Sequence, residues 1–214
     1  MKYALKNAVI LDGTKDMELL RGQSVLVECE TIVGLVPAGS EPMGFEPVDL
    51  SGKYLMPGLF NMHVHLAGSG KPQKKQRDNE KLVKTLMSTG LSRATAYRTV
   101  AGFAKTELLS GVTTIRTVGG LGTFDTRLRD GIAAGKKIGP RILAANEGIS
   151  VPGGHMAGSV AIAAENIDAA VAHVEEAKRE NVDLIKLMIT GGVLEAKEKG
   201  VPGELKIRFG NTSL

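Results

Sequence analysis

Tryptophan is absent from this chain of 214 residues, aromatic residues make up only 4% of it, and there is a single cysteine, Cys29. One cysteine excludes an intramolecular disulfide framework and fits a reducing compartment. Cys29 itself is expected to be a small buried hydrophobe. So few aromatics leave no stacking platform for single-stranded nucleic acid. No apolar run is long enough to span a bilayer. The start, Met1-Lys2-Tyr3-Ala4-Leu5-Lys6-Asn7, has neither a hydrophobic signal core nor a small-residue cleavage site. A cytoplasmic location without a membrane partner is therefore expected. The net charge is +4, but it is scattered rather than striped, so no nucleic-acid partner is expected. The densest basic stretch, Lys71-Pro72-Gln73-Lys74-Lys75-Gln76-Arg77, runs straight into Asp78 and Glu80 and reads as a solvated loop.

With 43% hydrophobic and 23% charged residues, the chain can bury a real core. Two stretches near the start, Tyr3–Leu11 and Ser24–Val36, alternate and are β-branched. The turn-rich run Asp12-Gly13-Thr14-Lys15-Asp16 separates them, and Gly34, Pro37, Gly39 and Pro42 punctuate them. They predict a small β-structure over residues 1–52.

From residue 53 the texture becomes alternating strands and helices. A strand over 55–65 is followed by a polar loop and a helix over 92–110, which Gly111 ends. Val112–Arg116 is the next strand, Asp125–Ala134 a helix stopped by Gly135, and Pro140–Ala145 a third strand. A helix over 164–180 and a fourth strand, Asp183–Ile189, complete the alternation. Repeated β–α units over 53–214 predict a parallel sheet covered by helices. His63, His65, Gly119-Gly120, His155 and Gly191-Gly192 all fall at carboxyl ends of these strands or in the loops that follow. A (β/α)8 barrel collects functional groups at that rim. A doubly wound sheet would also place a site there, but no G-x-G-x-x-G follows the first strand.

His63-Val64-His65 closes the apolar run Leu55-Met56-Pro57-Gly58-Leu59-Phe60-Asn61-Met62. Strand side chains alternate, so the two imidazoles share one face while Met62, Val64 and Leu66 share the other. Two imidazoles on one strand face can chelate one cation. Lys186 lies among Leu184, Ile185, Leu187 and Met188, and a lysine buried there must pair, neutralise or be modified. As a free amine it could add carbon dioxide to form an anionic carbamate ligand, or it could snorkel to the rim or pair with a carboxylate. Gly191-Gly192 would let a ligand approach the backbone, though a plain turn explains the pair equally well. His155, after Gly153-Gly154, is either a substrate contact or a loop residue without a role. His173 lies mid-helix and reads as a surface or packing residue.

Four segments together resemble the amidohydrolase superfamily of metal-dependent hydrolases: Asn7–Gly13, Met56–His65, Gly111–Arg116 and Ile185–Val193. Gly139-Pro140-Arg141-Ile142 and Pro152-Gly153-Gly154-His155 are similar to its imidazolonepropionase-related and prolidase-like branch. The resemblance implies the N-terminal half of a (β/α)8 barrel of TIM type, with part of a β-sandwich before it. It implies that His63 and His65 bind a divalent metal, zinc-like, and that Lys186, carboxylated by carbon dioxide, bridges two such ions. His155, Gly191 and Gly192 would contact substrate. The implied reaction is hydrolysis of an amide or peptide C–N bond in a small molecule such as a dipeptide or N-acyl amino acid, by a metal-activated water. The family's further histidine ligands and its proton-shuttle aspartate lie on later strands, and neither residue type occurs after Lys186. No catalytic residue is therefore assigned within the chain. It is expected to be truncated after about the fourth barrel strand, with little or no activity alone, and to form a homo-oligomer. The alternative is a non-catalytic, self-associating fragment.

Overall fold

A computed structural model describes residues 1–71 and 78–188. Most of the basic stretch and the Gly191-Gly192 pair lie outside them. The chain divides into two compact units, Met1–Gly58 and Leu59–Leu214.

In the first unit, β1 (Lys2–Lys6) and β2 (Val9–Leu11) are two strands where the sequence predicts one. Asn7 between them takes a left-handed φ of 65° and donates from its side chain to Asp49 Oδ1 at 2.8 Å. Asparagine tolerates that conformation, and the kink sends the two halves to different sheets. β2 pairs with the two-residue strands β3 (Leu19–Leu20) and β7 (Tyr54–Leu55). β1 joins a four-stranded sheet in the order β5-β4-β1-β6, formed with β4 (Gln23–Glu28), β5 (Thr31–Pro37) and β6 (Glu46–Asp49). β4 and β5 form an antiparallel hairpin whose turn includes Cys29 at φ 54°. That turn is why Cys29 is exposed and not the buried hydrophobe the sequence suggests. The apolar interior is small: Ala4, Ala8, Ile10, Val25 and Leu26.

The second unit is the predicted β/α layer. β8 (Leu59–Val64), β9 (Val112–Thr117) and β10 (Arg141–Leu143) form a parallel sheet in the order β10-β9-β8. The expected polar loop after β8 contains α1 (Asn79–Met87), where Asp78 accepts from the Lys81 amide at 2.9 Å as N-cap. Then comes α2 (Gly90–Leu109), opened by a reciprocal Thr89/Ser92 capping box. α3 (Phe124–Ala133) follows β9. Beyond β10 the chain adds two short strands the sequence did not suggest, β11 (Gly148–Ser150) and β12 (Ala161–Ala163), paired in parallel. α4 (Ile167–Arg179) starts at Asn166, whose side chain accepts from the Ala169 amide.

The core lies between sheet and helices. Val64, Leu66, Ile115 and Ile142 from the strands and their ends meet Tyr97, Val100, Ala104, Phe124 and Leu128. The expected fourth strand is thinner than its β-branched sequence suggests. Residues 183–188 run beside 144–149, but only Leu187 forms a bridge, to Ile149. Backbone bonds from Asp183 to the Ala144 carbonyl, Ile149 to the Lys186 carbonyl and Met188 to the Ile149 carbonyl hold them there. Arg129 anchors the start of this segment, donating to Asp183 Oδ2 and to the Asn181 carbonyl, each at 2.8 Å.

Candidate active site

The pairing of β8 with β9 slips between Asn61 and Val64, so β8 carries an extra residue there. The Arg116 side chain donates to the Met62 carbonyl at 2.8 Å at that point. Such bulges re-aim neighbouring side chains. Here the His63 and His65 rings still converge, with centroids 5.3 Å apart and planes at 64°. Val64 and Leu66 face the core, as the alternation requires, whereas Met62 is 40% exposed.

His63 is exposed and His65 half-buried. His65 Nδ1 lies 3.1 Å from the Gly119 carbonyl oxygen, just beyond β9. A carbonyl only accepts, so Nδ1 carries the proton and Nε2 keeps its lone pair. Gly119 is shaped for this contact. Its φ is 139°, and a side chain there would begin 3.2 Å from the His65 ring and 3.1 Å from the Val160 carbonyl oxygen. Burial lowers the His65 pKa; the Gly119 bond opposes the fall, and the charges of His63, Lys186 and His155 add to it.

Lys186 is half-buried, where its apolar flanks suggest full burial. Its stem lies across Gly148, where an added Cβ would meet Lys186 Cγ at 3.3 Å. His155, half-buried, sits in a turn fixed by a bond from the Gly154 amide to the Val151 carbonyl. Gly191 and Gly192 fall outside the described residues. His173 is half-buried on α4.

Two polar side chains near this rim had no signal in the sequence reading. Ser150 ends β11 and is buried, with no partner for its hydroxyl among the described residues. Asp125, in the first turn of α3, is 1% exposed, and neither of its oxygens has a hydrogen-bond partner among the described residues. Burial pushes its pKa up to about 6, a rise the nearby Thr117 hydroxyl partly offsets. The only hint was an acidic residue between the apolar Phe124 and Leu128 at a helix start. α3 has no side-chain cap of its own. Asn146 supplies one from beyond β10, accepting from the Thr126 amide at 3.1 Å and donating to Thr126 Oγ1 and Glu180 Oε2.

The donors present suit a divalent cation. With metal–nitrogen bonds of about 2.1 Å and tetrahedral angles, two imidazoles on one ion have ring centroids about 5 Å apart, matching the 5.3 Å seen. The His65 tautomer also leaves the correct nitrogen free. Among the described residues no group of three or more His, Cys, Asp or Glu side chains converges.

A parallel β/α layer with its chemistry-bearing side chains at the carboxyl ends of the strands is the arrangement of the (β/α)8 barrel class. The chain belongs to the amidohydrolase family, whose model matches residues 54–203. A protein from Bifidobacterium longum assigned as a prolidase is 33% identical over 92% of this chain, with a TM-score of 0.69. A Xaa-Pro dipeptidase with methionine bound in its active site is 25% identical over 90%, with a TM-score of 0.69. An amidohydrolase structure at 24% identity covers 91% with a TM-score of 0.75 and shows the shared fold. The chain spans 43–48% of the length of these structures. No curated protein matches the sequence significantly. Among the described residues no helix is long and apolar enough to cross a membrane.

Proposed function

We propose that the chain carries part of the catalytic centre of a metal-dependent hydrolase that cleaves the C–N bond of a dipeptide or N-acyl amino acid. One observation supports this above the others: the imidazoles of His63 and His65 converge at 5.3 Å with His65 Nε2 left free by the Gly119 bond. In this reading His63 and His65 hold a divalent ion, zinc-like. Lys186, half-buried with its stem against Gly148, would add carbon dioxide as a free amine and release a proton, giving the anionic carbamate ligand. The ion supplies Lewis acidity, lowering the pKa of water toward neutrality and polarising a carbonyl. The protein's own part is to orient donors and substrate. The Gly119 carbonyl fixes the His65 tautomer, and Arg116 secures the bulge that aims His63. His155 is assigned to meet a substrate carboxylate or carbonyl, with Gly191 and Gly192 in the same role. Residues 1–52 are assigned to a β-sandwich domain and residues 53–214 to the barrel, in a cytoplasmic homo-oligomer.

A second reading is favoured by a specific feature. Among the described residues β8 lies at the edge of its sheet, with Leu59 48%, Phe60 70% and Met62 40% exposed. Such an edge can pair with another chain, giving a self-associating protein without catalysis.

Elemental analysis of the dialysed, mass-verified protein separates the two. One to two equivalents of metal, lost in His63→Ala and His65→Ala, support the hydrolase reading, and dipeptide hydrolysis should then be assayed. No bound metal under zinc-replete conditions overturns it.

A further inference from the structure

We propose that Asp125 is a positioning residue for His65, acting through the Gly119–Gly120 peptide; the inference rests on His65 being a metal ligand. The carboxyl is buried with only the nearby Thr117 hydroxyl to offset its desolvation, an arrangement that costs stability and that an apolar side chain would avoid. It sits directly against Gly120. A Cβ there would lie 2.6 Å from Asp125 Oδ2 and 2.9 Å from both Cγ and Oδ1, so the carboxyl fills the space any side chain at 120 would take. The other end of the same peptide unit is the Gly119 carbonyl, which holds His65 Nδ1 at 3.1 Å.

A peptide unit is planar, with its C=O and N–H pointing in opposite directions. Asp125 packs where a Cβ on Gly120 would stand, so it holds the Gly120 end of that unit in place while the Gly119 oxygen at the other end meets His65. Two glycines in a row would otherwise leave that plane free to rotate. The wedge is itself held firmly. Asn146 ties the Thr126 amide, next to Asp125, to the segment after β10, and Phe124 and Leu128 on either side are in the core. The line of contact runs from α3 through Asp125 and the Gly119–Gly120 peptide to the His65 ring. This resembles the way outer groups orient metal-binding histidines, except that the carboxyl acts on the carbonyl's peptide and not on the imidazole.

The test uses the full chain as wild type, Asp125→Ala, Asp125→Asn and Gly120→Ala. The ¹⁵N shifts of His65 at pH 8 report its tautomer, and a competition titration with zinc reports affinity. Wild type should show the Nδ1–H tautomer. Asp125→Ala should lose that preference and bind zinc about 10–100-fold more weakly, while the near-isosteric Asp125→Asn should stay within about threefold of wild type. If Asp125→Ala does not fold, Gly120→Ala, which drives a methyl into the carboxyl, should show the same loss. A folded Asp125→Ala or Gly120→Ala protein that keeps both the wild-type tautomer and zinc affinity overturns the proposal. Wild type that shows the Nδ1–H tautomer but binds no zinc overturns the hydrolase reading instead, and the ¹⁵N shifts of the variants still decide the role of Asp125.

Discussion

Replacing Asp125 by asparagine keeps the shape of the side chain and removes its ionisation, which makes the cost of burying this carboxylate measurable. An unburied aspartate titrates at 3.8, whereas burial pushes Asp125 up to about 6. Between those values the folded protein holds a proton that the unfolded chain releases. Stability contributed by this group is therefore fully present below pH 3.8 and is lost as pH rises toward 6. The gap between 3.8 and about 6, at roughly 1.4 kcal/mol per pH unit, comes to about 3 kcal/mol. Urea unfolding of both proteins at intervals from pH 4 to pH 8, with chelator present, reads it out. Wild type should weaken relative to Asp125→Asn by up to about 3 kcal/mol over that range, the loss being complete just above pH 6. Glu147, raised by burial and by the neighbouring Glu180, tilts both curves the same way. His65, lowered by burial, tilts both the other way below pH 6.5. Both cancel in the difference between the two proteins. A difference that stays flat from pH 4 to pH 8 would refute the reasoning, because Asp125 would then not be a desolvated, ionisable carboxyl in the folded state.

Gly119→Ala should destabilise the protein by about 1–3 kcal/mol, because alanine is strained at a φ of 139° and its methyl would press on the His65 ring; thermal unfolding together with zinc titration checks that stability and affinity fall together. Leu128→Ala removes a side chain that is 0% exposed between α3 and the sheet, and should cost about 2–5 kcal/mol in urea unfolding without altering the His65 ¹⁵N tautomer pattern. Arg129→Met removes the donor to Asp183 and to the Asn181 carbonyl, so hydrogen exchange at the Ala144 amide, which bonds Asp183 Oδ2, should quicken by about tenfold, corresponding to one bond of roughly 1.4 kcal/mol.

Much of the second unit was legible because local pattern and tertiary environment agree there. The expected helices over 92–110, 125–134 and 164–180 form as α2, α3 and α4, and the expected strands over 112–116 and 140–145 as β9 and β10, whereas the strand expected over 55–65 is divided into β7 (Tyr54–Leu55) and β8 (Leu59–Val64) in different sheets. Where the two levels differ, a single residue or a missing neighbour is the cause. Asn7 and Cys29 turn left-handed and break or bend what the β-branched pattern reads as continuous strand. α1 is hidden in a stretch whose polar composition suggests a loop, since none of its residues is buried and its start depends on the Asp78 cap. The segment 183–188 has a strand's composition but forms one bridge, Leu187 to Ile149, among the described residues.

By itself the sequence determined the alternation of strands and helices, the family, and the pair of histidines on one strand face. The alternation and the histidine pair follow from periodicity and spacing, and the family from the likeness of whole segments such as Met56–His65; none of these needs knowledge of distant contacts. Only the tertiary structure decided which nitrogen of His65 is free, because the Gly119 carbonyl that fixes it comes from 54 residues away. It alone showed that Lys186 is half-buried and that Asp125 lies buried against Gly120. Tautomer, burial and wedging depend on what the fold brings to a side chain from elsewhere in the chain, and that is not written in the residue or its neighbours.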